Sequence, residues 1–241
     1  PVNLIDRVEI YKGVVPASLG TDALGGAVNI ITKAEKENFL DASYSIGSFH
    51  THSADLNAQF VEQRTGLIVR PTVGINYSKN DYRMKDVQMR DETGDQFIYG
   101  NPKRFHDGYF SLLAQIEAGM VGKFWADEFF VSASYSKTDK ELQTGSVQTK
   151  VYGMAERNSD AWNVSARYNK HNFLTENMTL KATLSHTWDH SITIDTAYRK
   201  YYWDGGYIVS QRNEIRGGER SIRHYKRPLT IARANLDYQL N

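Results

Sequence analysis

From Asn38 onward, apolar side chains recur at every second position, in one segment after another. Leu40, Ala42, Tyr44 and Ile46 alternate with Asp41, Ser43, Ser45 and Gly47, and Ala54, Leu56, Ala58 and Phe60 alternate with Asp55, Asn57 and Gln59. The same pattern runs from Val69 to Tyr77, Phe110 to Ile116, Phe129 to Tyr135, Trp162 to Tyr168, Met178 to Leu184 and Ala232 to Leu240. Successive side chains of a strand point to opposite faces, so period-two alternation predicts strands with one apolar and one polar face. Eight such strands are expected.

The connections sort by length. After a short link at residues 49–52, short turns are expected near 63–66, 120–127 and 171–176, and long polar segments at about 79–107, 138–159 and 190–227 alternate with them. Short turns at one end and long loops at the other are the layout of a transmembrane β-barrel. The apolar faces approach the length of about 9–11 residues that crosses a bilayer. The polar faces carry Glu117, Arg167, Lys181, Arg233 and Asp237, which suit a wet lumen. A soluble antiparallel sheet shares the alternation, but has no reason to sort its connections.

Residues 1–33 have a different texture. Val8 and Ile10 alternate with Arg7 and Glu9, then Gly13, Pro16, Gly20, Gly25 and Gly26 lead into the apolar run Ala27-Val28-Asn29-Ile30-Ile31. This predicts strand, glycine-rich connector, strand. The charged stretch Lys33-Ala34-Glu35-Lys36-Glu37 marks a boundary, dividing the chain into residues 1–37 and 38–241.

Composition narrows the function. The 241 residues carry a formal net charge of +1, which gives no global argument for nucleic-acid binding. The absence of cysteine excludes disulfides, thiolate metal sites and a cysteine nucleophile. Mean hydropathy is −0.55, and no apolar run approaches the roughly 18 residues of a transmembrane helix. Alternating strands keep mean hydropathy low, so a barrel is compatible with that value.

The run Ile5-Asp6-Arg7-Val8-Glu9-Ile10-Tyr11-Lys12-Gly13, then Pro16-Ala17-Ser18-Leu19-Gly20, then Ala23-Leu24-Gly25-Gly26-Ala27-Val28-Asn29-Ile30-Ile31-Thr32-Lys33, resembles the end of the plug domain of TonB-dependent outer-membrane receptors. Two positions depart from the family pattern: Leu19 stands where an aromatic is common, and Lys12-Gly13-Val14 where Arg-Gly-Pro is common. In that family the first barrel strand follows the plug at once, as residues 38–48 do here. The resemblance implies an all-β chain: an antiparallel up-and-down meander of about eight strands, part of a transmembrane β-barrel, preceded by the C-terminal part of a plug. It implies a piece of a longer receptor in the bacterial outer membrane. The glycine pattern is nearer to the branch that includes siderophore receptors than to the starch-utilisation branch.

The same resemblance implies energised uptake of a scarce ligand such as an iron–siderophore complex, and no enzymatic activity. Its partners are the inner-membrane protein TonB, a small ligand such as a metal chelate, and outer-membrane lipid. No cofactor, metal or nucleic acid is expected. The open edges of so partial a wall predict self-association of the isolated chain. Two alternatives remain open: a passive porin-like or structural outer-membrane barrel, which should lack a segment like 5–33, and a soluble β-sheet binding module.

Candidate chemistry is sparse. His186-Thr187-Trp188-Asp189-His190 has zinc-protease spacing but no glutamate base, and it continues a β pattern in which His186, Trp188 and His190 share a face. His50-Thr51-His52 lies in a short polar loop without a carboxylate beside it. Gly13 to Gly26 lacks the Gly-Lys-Ser/Thr ending and following helix of a phosphate loop. By resemblance, Arg7, Glu9 and Lys12 are expected at the contact between plug and barrel wall. Segment 198–227 interleaves cations with aromatics, and Arg199, Tyr202, Trp203, Arg220 and Arg223 are its ligand candidates, since cations and aromatic faces together hold anions by charge and stacking. The competing reading of that segment is a solvated loop.

Overall fold

The structure is a computed structural model describing residues 5–13, 15, 25–32, 37–90 and 96–239. Eight strands build one antiparallel sheet: β3 (Phe39–Gly47), β4 (Thr51–Glu62), β5 (Leu67–Ser78), β8 (Tyr109–Val121), β9 (Glu128–Glu141), β10 (Glu156–His171), β11 (Met178–Asp195) and β14 (Ser221–Tyr238). Each pairs with its sequence neighbour in the sheet, giving the spatial order β14-β11-β10-β9-β8-β5-β4-β3. This is the expected up-and-down meander. The sheet is open, with β3 and β14 at its two edges.

Three hairpins stand beside it. β1 (Ile5–Lys12) pairs with β2 (Gly26–Thr32), as the alternation around Val8 and the run from Ala27 require. The glycine-rich connector lies largely outside the described residues. β6 (Val87–Arg90) pairs with β7 (Phe97–Gly100), and β12 (Arg199–Tyr201) with β13 (Tyr207–Val209), both within segments that read as loops.

The connections alternate in length as expected. Turns over 63–66, 122–127 and 172–177 lie at one end of the sheet, and the connections over 79–108, 142–155 and 196–220 lie at the other. In the first turn Gly66 has φ of 66°, and a Cβ there would meet the Val121 carbonyl oxygen at 2.5 Å, so only glycine fits.

The two faces differ as the alternation dictates. Leu40, Phe60, Ile116, Val131, Val164 and Leu184 line the apolar face, and all are exposed. Hydrophobic residues normally withdraw from water, so a contiguous apolar face left open is a surface awaiting a partner. Aromatic residues bound it. Near the long connections, Trp162 pairs in register with Tyr135 on one side and Trp188 on the other. Toward the short turns, Tyr168 pairs with Phe129, whose ring meets Trp125 edge-on at 5.5 Å.

The upper boundary is oblique. On β5, β4 and β8 it falls at Tyr77, His52 and Phe110, a row that reaches β10 at Asn158. On β10 itself the boundary is Trp162, four residues along the strand from Asn158. An apolar band that crosses the rows obliquely means that the strands tilt against it, as barrel strands do against a bilayer.

The packed hydrophobic core is not in the sheet. It lies among the long connections, where Met84, Val87, Val151, Tyr201 and Trp203 are buried together. Trp203 donates its indole N–H to the Gln148 carbonyl at 3.0 Å. Gly153 packs so closely on Tyr201 that a Cβ would lie 2.5 Å from its ring. Gln143 is also buried, accepting the amides of Phe105 and His106 and donating to the Tyr152 carbonyl. The three long segments form a joined cap, where the sequence pattern anticipated solvated loops.

Candidate functional site

The polar face holds two charged centres. Toward the short turns, Arg70 on β5 donates to Glu117 on β8 at 2.8 Å and to Gln59 on β4 at 2.6 Å. Arg167 on β10 reaches the other oxygen of Glu117 at 3.5 Å. The guanidinium carbons of Arg70 and Arg167 lie 5.0 and 5.2 Å from the Phe130 ring centroid. One carboxylate thus bridges two cations over an aromatic ring, which ties four strands, β5, β8, β9 and β10, together on one face. Gln59 is buried and donates to the Glu37 carbonyl, fixing the chain that enters β3 against the same centre.

Toward the long connections the polar faces of β10, β11 and β14 open into a cavity of about 330 Å³. Arg157, Arg216, Arg223, Tyr225 and Arg227 line it, with Asp195 at its margin. Arg157 and Arg223 both pair in register with Thr193, which sets them two strands apart. Strand spacing makes that a backbone separation of about 10 Å. Arg227 is held by Asp189 at 2.8 Å. Asp195 is buried, and its two oxygens accept the amides of Glu214 and Ile215 at 2.9 and 3.1 Å. Asp195, the carboxylate in the cavity lining, thus also holds the loop.

Glu214 extends that anchor. It is buried, and its carboxylate accepts the amides of Gly153 and Met154 at 3.1 to 3.4 Å. Burial raises its pKa above the ordinary value, while the amide hydrogen bonds oppose the shift. At the opposite end, Asp127 in the turn over 122–127 accepts the backbone amide and ring nitrogen of His171 at 2.6 and 2.7 Å, and Lys170 at 3.2 Å. These hydrogen bonds hold its pKa at about 2.

The ligand candidates from the sequence are dispersed. Arg223 lines the cavity. Arg199 lies over the Tyr207 ring at 4.2 Å and donates to the Tyr201 hydroxyl. Tyr202 faces Lys200, Arg220 lies over Tyr198, and Trp203 is buried in the cap. Arg7 and Glu9 share one face of β1, with Arg7 Nε 3.0 Å from a carboxylate oxygen of Glu9. The other oxygen of Glu9 accepts Tyr11 and Asn29. Lys12 lies on the opposite face, in register with Gly26. His52 contacts the Tyr44 hydroxyl at 2.7 Å, and His186 packs on Trp188 within β11.

Sequence reasoning missed Arg157, Tyr225 and Arg227 as neighbours. The signal was present in strand parity: Arg157 and Arg167 share a face, as do Arg223, Tyr225, Arg227 and Arg233. It went unread because apolar alternation fades beyond Trp162 and before Ala232, so the strands appeared to stop there.

No protein-family model matches the chain. The vitamin B12 transporter BtuB of Vibrio cholerae serotype O1 is 22% identical over 240 residues, covering 90% of this chain and 34% of the transporter. The same match recurs in the BtuB of two further strains. The chain thus spans about a third of the length of these relatives. Among solved structures, the siderophore receptor PiuA from Acinetobacter baumannii covers 98% of this chain and 44% of its own, with a TM-score of 0.45 and 13% identity. The chain is thus similar in sequence to vitamin B12 transporters over 90% of its length.

Proposed function

We propose that this chain forms part of the wall of a TonB-dependent receptor in the bacterial outer membrane, with residues 1–37 the end of its plug and 38–241 the first part of its barrel. The apolar face meets outer-membrane lipid, the polar face lines the lumen, and the cap of long connections meets the cell exterior. The receptor takes up a scarce ligand such as an iron chelate, using energy delivered by TonB through the plug. Arg7, Glu9 and Lys12 lie at the plug's contact with the wall. Vitamin B12, which BtuB transports, is the competing ligand.

The observation that carries this reading is the sheet's division into two faces. One is apolar and rimmed by Tyr135, Trp162 and Trp188; the other carries the Arg70–Glu117–Arg167 centre. A soluble module has no use for an exposed apolar band with an aromatic rim. The similarity to BtuB extends over the same strands and supports transport.

The test is uptake by cells that make the native gene product, against a deletion strain and a strain lacking TonB. Labelled ferric citrate, a ferric hydroxamate and cyanocobalamin serve as ligands. Accumulation of one of them that requires both the gene and TonB supports the reading. A product found in the soluble fraction, or uptake indifferent to TonB, contradicts it.

A further inference from the structure

We infer that the cavity between the polar faces of β10, β11 and β14 is a binding site for a small polyanion, whose oxyanion groups are gripped by Arg157 and Arg223. The inference rests on the reading of this face as a receptor lumen, and it adds the charge class of the ligand.

The first argument is charge left unbalanced. Among the described residues, Arg157, Arg216 and Arg223 have no carboxylate partner, and none of their side chains makes a hydrogen bond or ion pair. The cavity lining holds four arginines and one carboxylate, Asp195. Asp189 holds Arg227, and Asp195 turns both oxygens to the loop amides of Glu214 and Ile215. Arg157 and Arg216 are exposed and Arg223 is half-buried, so their guanidinium groups are open to an oxyanion that enters the recess.

The second argument is placement. Arg157 and Arg223 straddle Thr193 across two strands, about 10 Å apart in backbone terms. Each side chain is long enough to lean inward, so both forks reach one ligand of a few ångströms. A guanidinium binds carboxylate, phosphate or catecholate oxygens through paired N–H donors, and two forks demand at least two such groups. Tyr225, Thr193 and Ser191 supply hydroxyls in the same recess. A single-charged or neutral ligand leaves one fork unsatisfied.

The experiment uses the full-length receptor purified from outer membranes, with citrate, ferric citrate and pyrophosphate as probes and cyanocobalamin as the neutral control. Binding is followed by titration calorimetry at two salt concentrations. At least one of the anions should bind, with an affinity that falls on adding salt. Arg157→Glu or Arg223→Glu should weaken it by at least tenfold, Arg223→Lys less, and Arg64→Glu, in the turn over 63–66 at the other end of the sheet, hardly at all. Retention of the protein in the outer-membrane fraction, with unchanged heat-modifiable mobility, checks that each variant folds. Failure of all three anions to bind the folded wild-type receptor overturns the inference, as does anion binding indifferent to both charge reversals. Either result leaves the uptake reading standing. Anion binding by a product that is not in the outer membrane would instead keep the site and overturn that reading.

Discussion

Trp162 on β10 stands directly opposite Trp188 on β11, both on the apolar face and both about half exposed, at 54% and 53%. Tyr135 completes the row, its ring 4.8 Å from that of Trp162. Large aromatics left half in the open are costly in water and favourable at the edge of a bilayer, where the ring meets lipid and the indole N–H meets water. In the proposed receptor, this row is the level at which the wall leaves the membrane. Beyond it the same face turns polar, with Lys137, Asp160 and His190 next along the three strands.

Leu184 lies on the apolar band and Ser185 on the other face of the same strand. Leu184→Arg should destabilise the membrane-folded protein by about 2–4 kcal/mol, the cost of a cation near mid-bilayer, and Ser185→Arg should cost well under half of that. Urea unfolding of the full receptor in lipid vesicles measures both. Equal losses would contradict the assignment of faces.

Glu117 joins Arg70 and Arg167. Glu117→Gln leaves the partly buried Arg70 and the half-exposed Arg167 without their shared carboxylate, and should cost about 1 kcal/mol, since solvent screens Arg167. A double-mutant cycle with Arg70→Gln should recover part of that loss, because the second change removes the stranded cation. A purely additive cycle would show that the pair is not coupled.

Asp127 gives a pH signature at the short turns. Its folded-state pKa of about 2 lies below the ordinary 3.8, so its contribution is complete above that ordinary value and disappears as pH falls through about 2. Asp127→Asn should lower stability at pH 5 to 7 and match the wild type near pH 2. Acid unfolding followed by tryptophan fluorescence compares them. A deficit that persists undiminished at pH 2 would contradict the sign.

Trp203 is a prediction about the cap alone. Trp203→Ala removes the largest side chain of the buried cluster, a change that costs roughly 3–5 kcal/mol in a packed core. The loss should appear as proteolysis within the long connections over 79–108 and 196–220, while the strands stay protected. Proteolysis within β10 or β11 would show that cap and sheet are one cooperative unit.

All eight sheet strands were legible in the sequence because each crosses an apolar band, and period two is unmistakable there. Their full lengths were not. β11 runs on to Asp195 with Ile192 and Ile194 alternating with Ser191, Thr193 and Asp195, but His190 breaks the apolar series before them; β14 starts at Ser221, where His224 and Lys226 leave both faces polar beyond Ile222. The cap was missed for the opposite reason. Met84, Val87, Val151, Tyr201 and Trp203 sit far apart in sequence within polar stretches, so no local period gathers them. Of the cation-rich segment 198–227, sequence could supply the charges but not their selection. Parity on β14 brings Arg223 and Arg227 to the cavity with Arg157, while Arg199 and Arg220 pack on tyrosines of the loop.

The central claim is that one face of this sheet meets lipid and the other water. The chain has no cysteine, so single cysteines report their sites without background from it. Labels placed in turn at residues 180 to 189 of the native receptor, in intact outer membranes, would be probed with a lipid-soluble and a water-soluble quencher. The account predicts strict alternation: even positions from Leu180 to Trp188 respond to the lipid-soluble quencher and odd positions from Lys181 to Asp189 to the other. Access to the water-soluble quencher at every position, or no alternation, would contradict it.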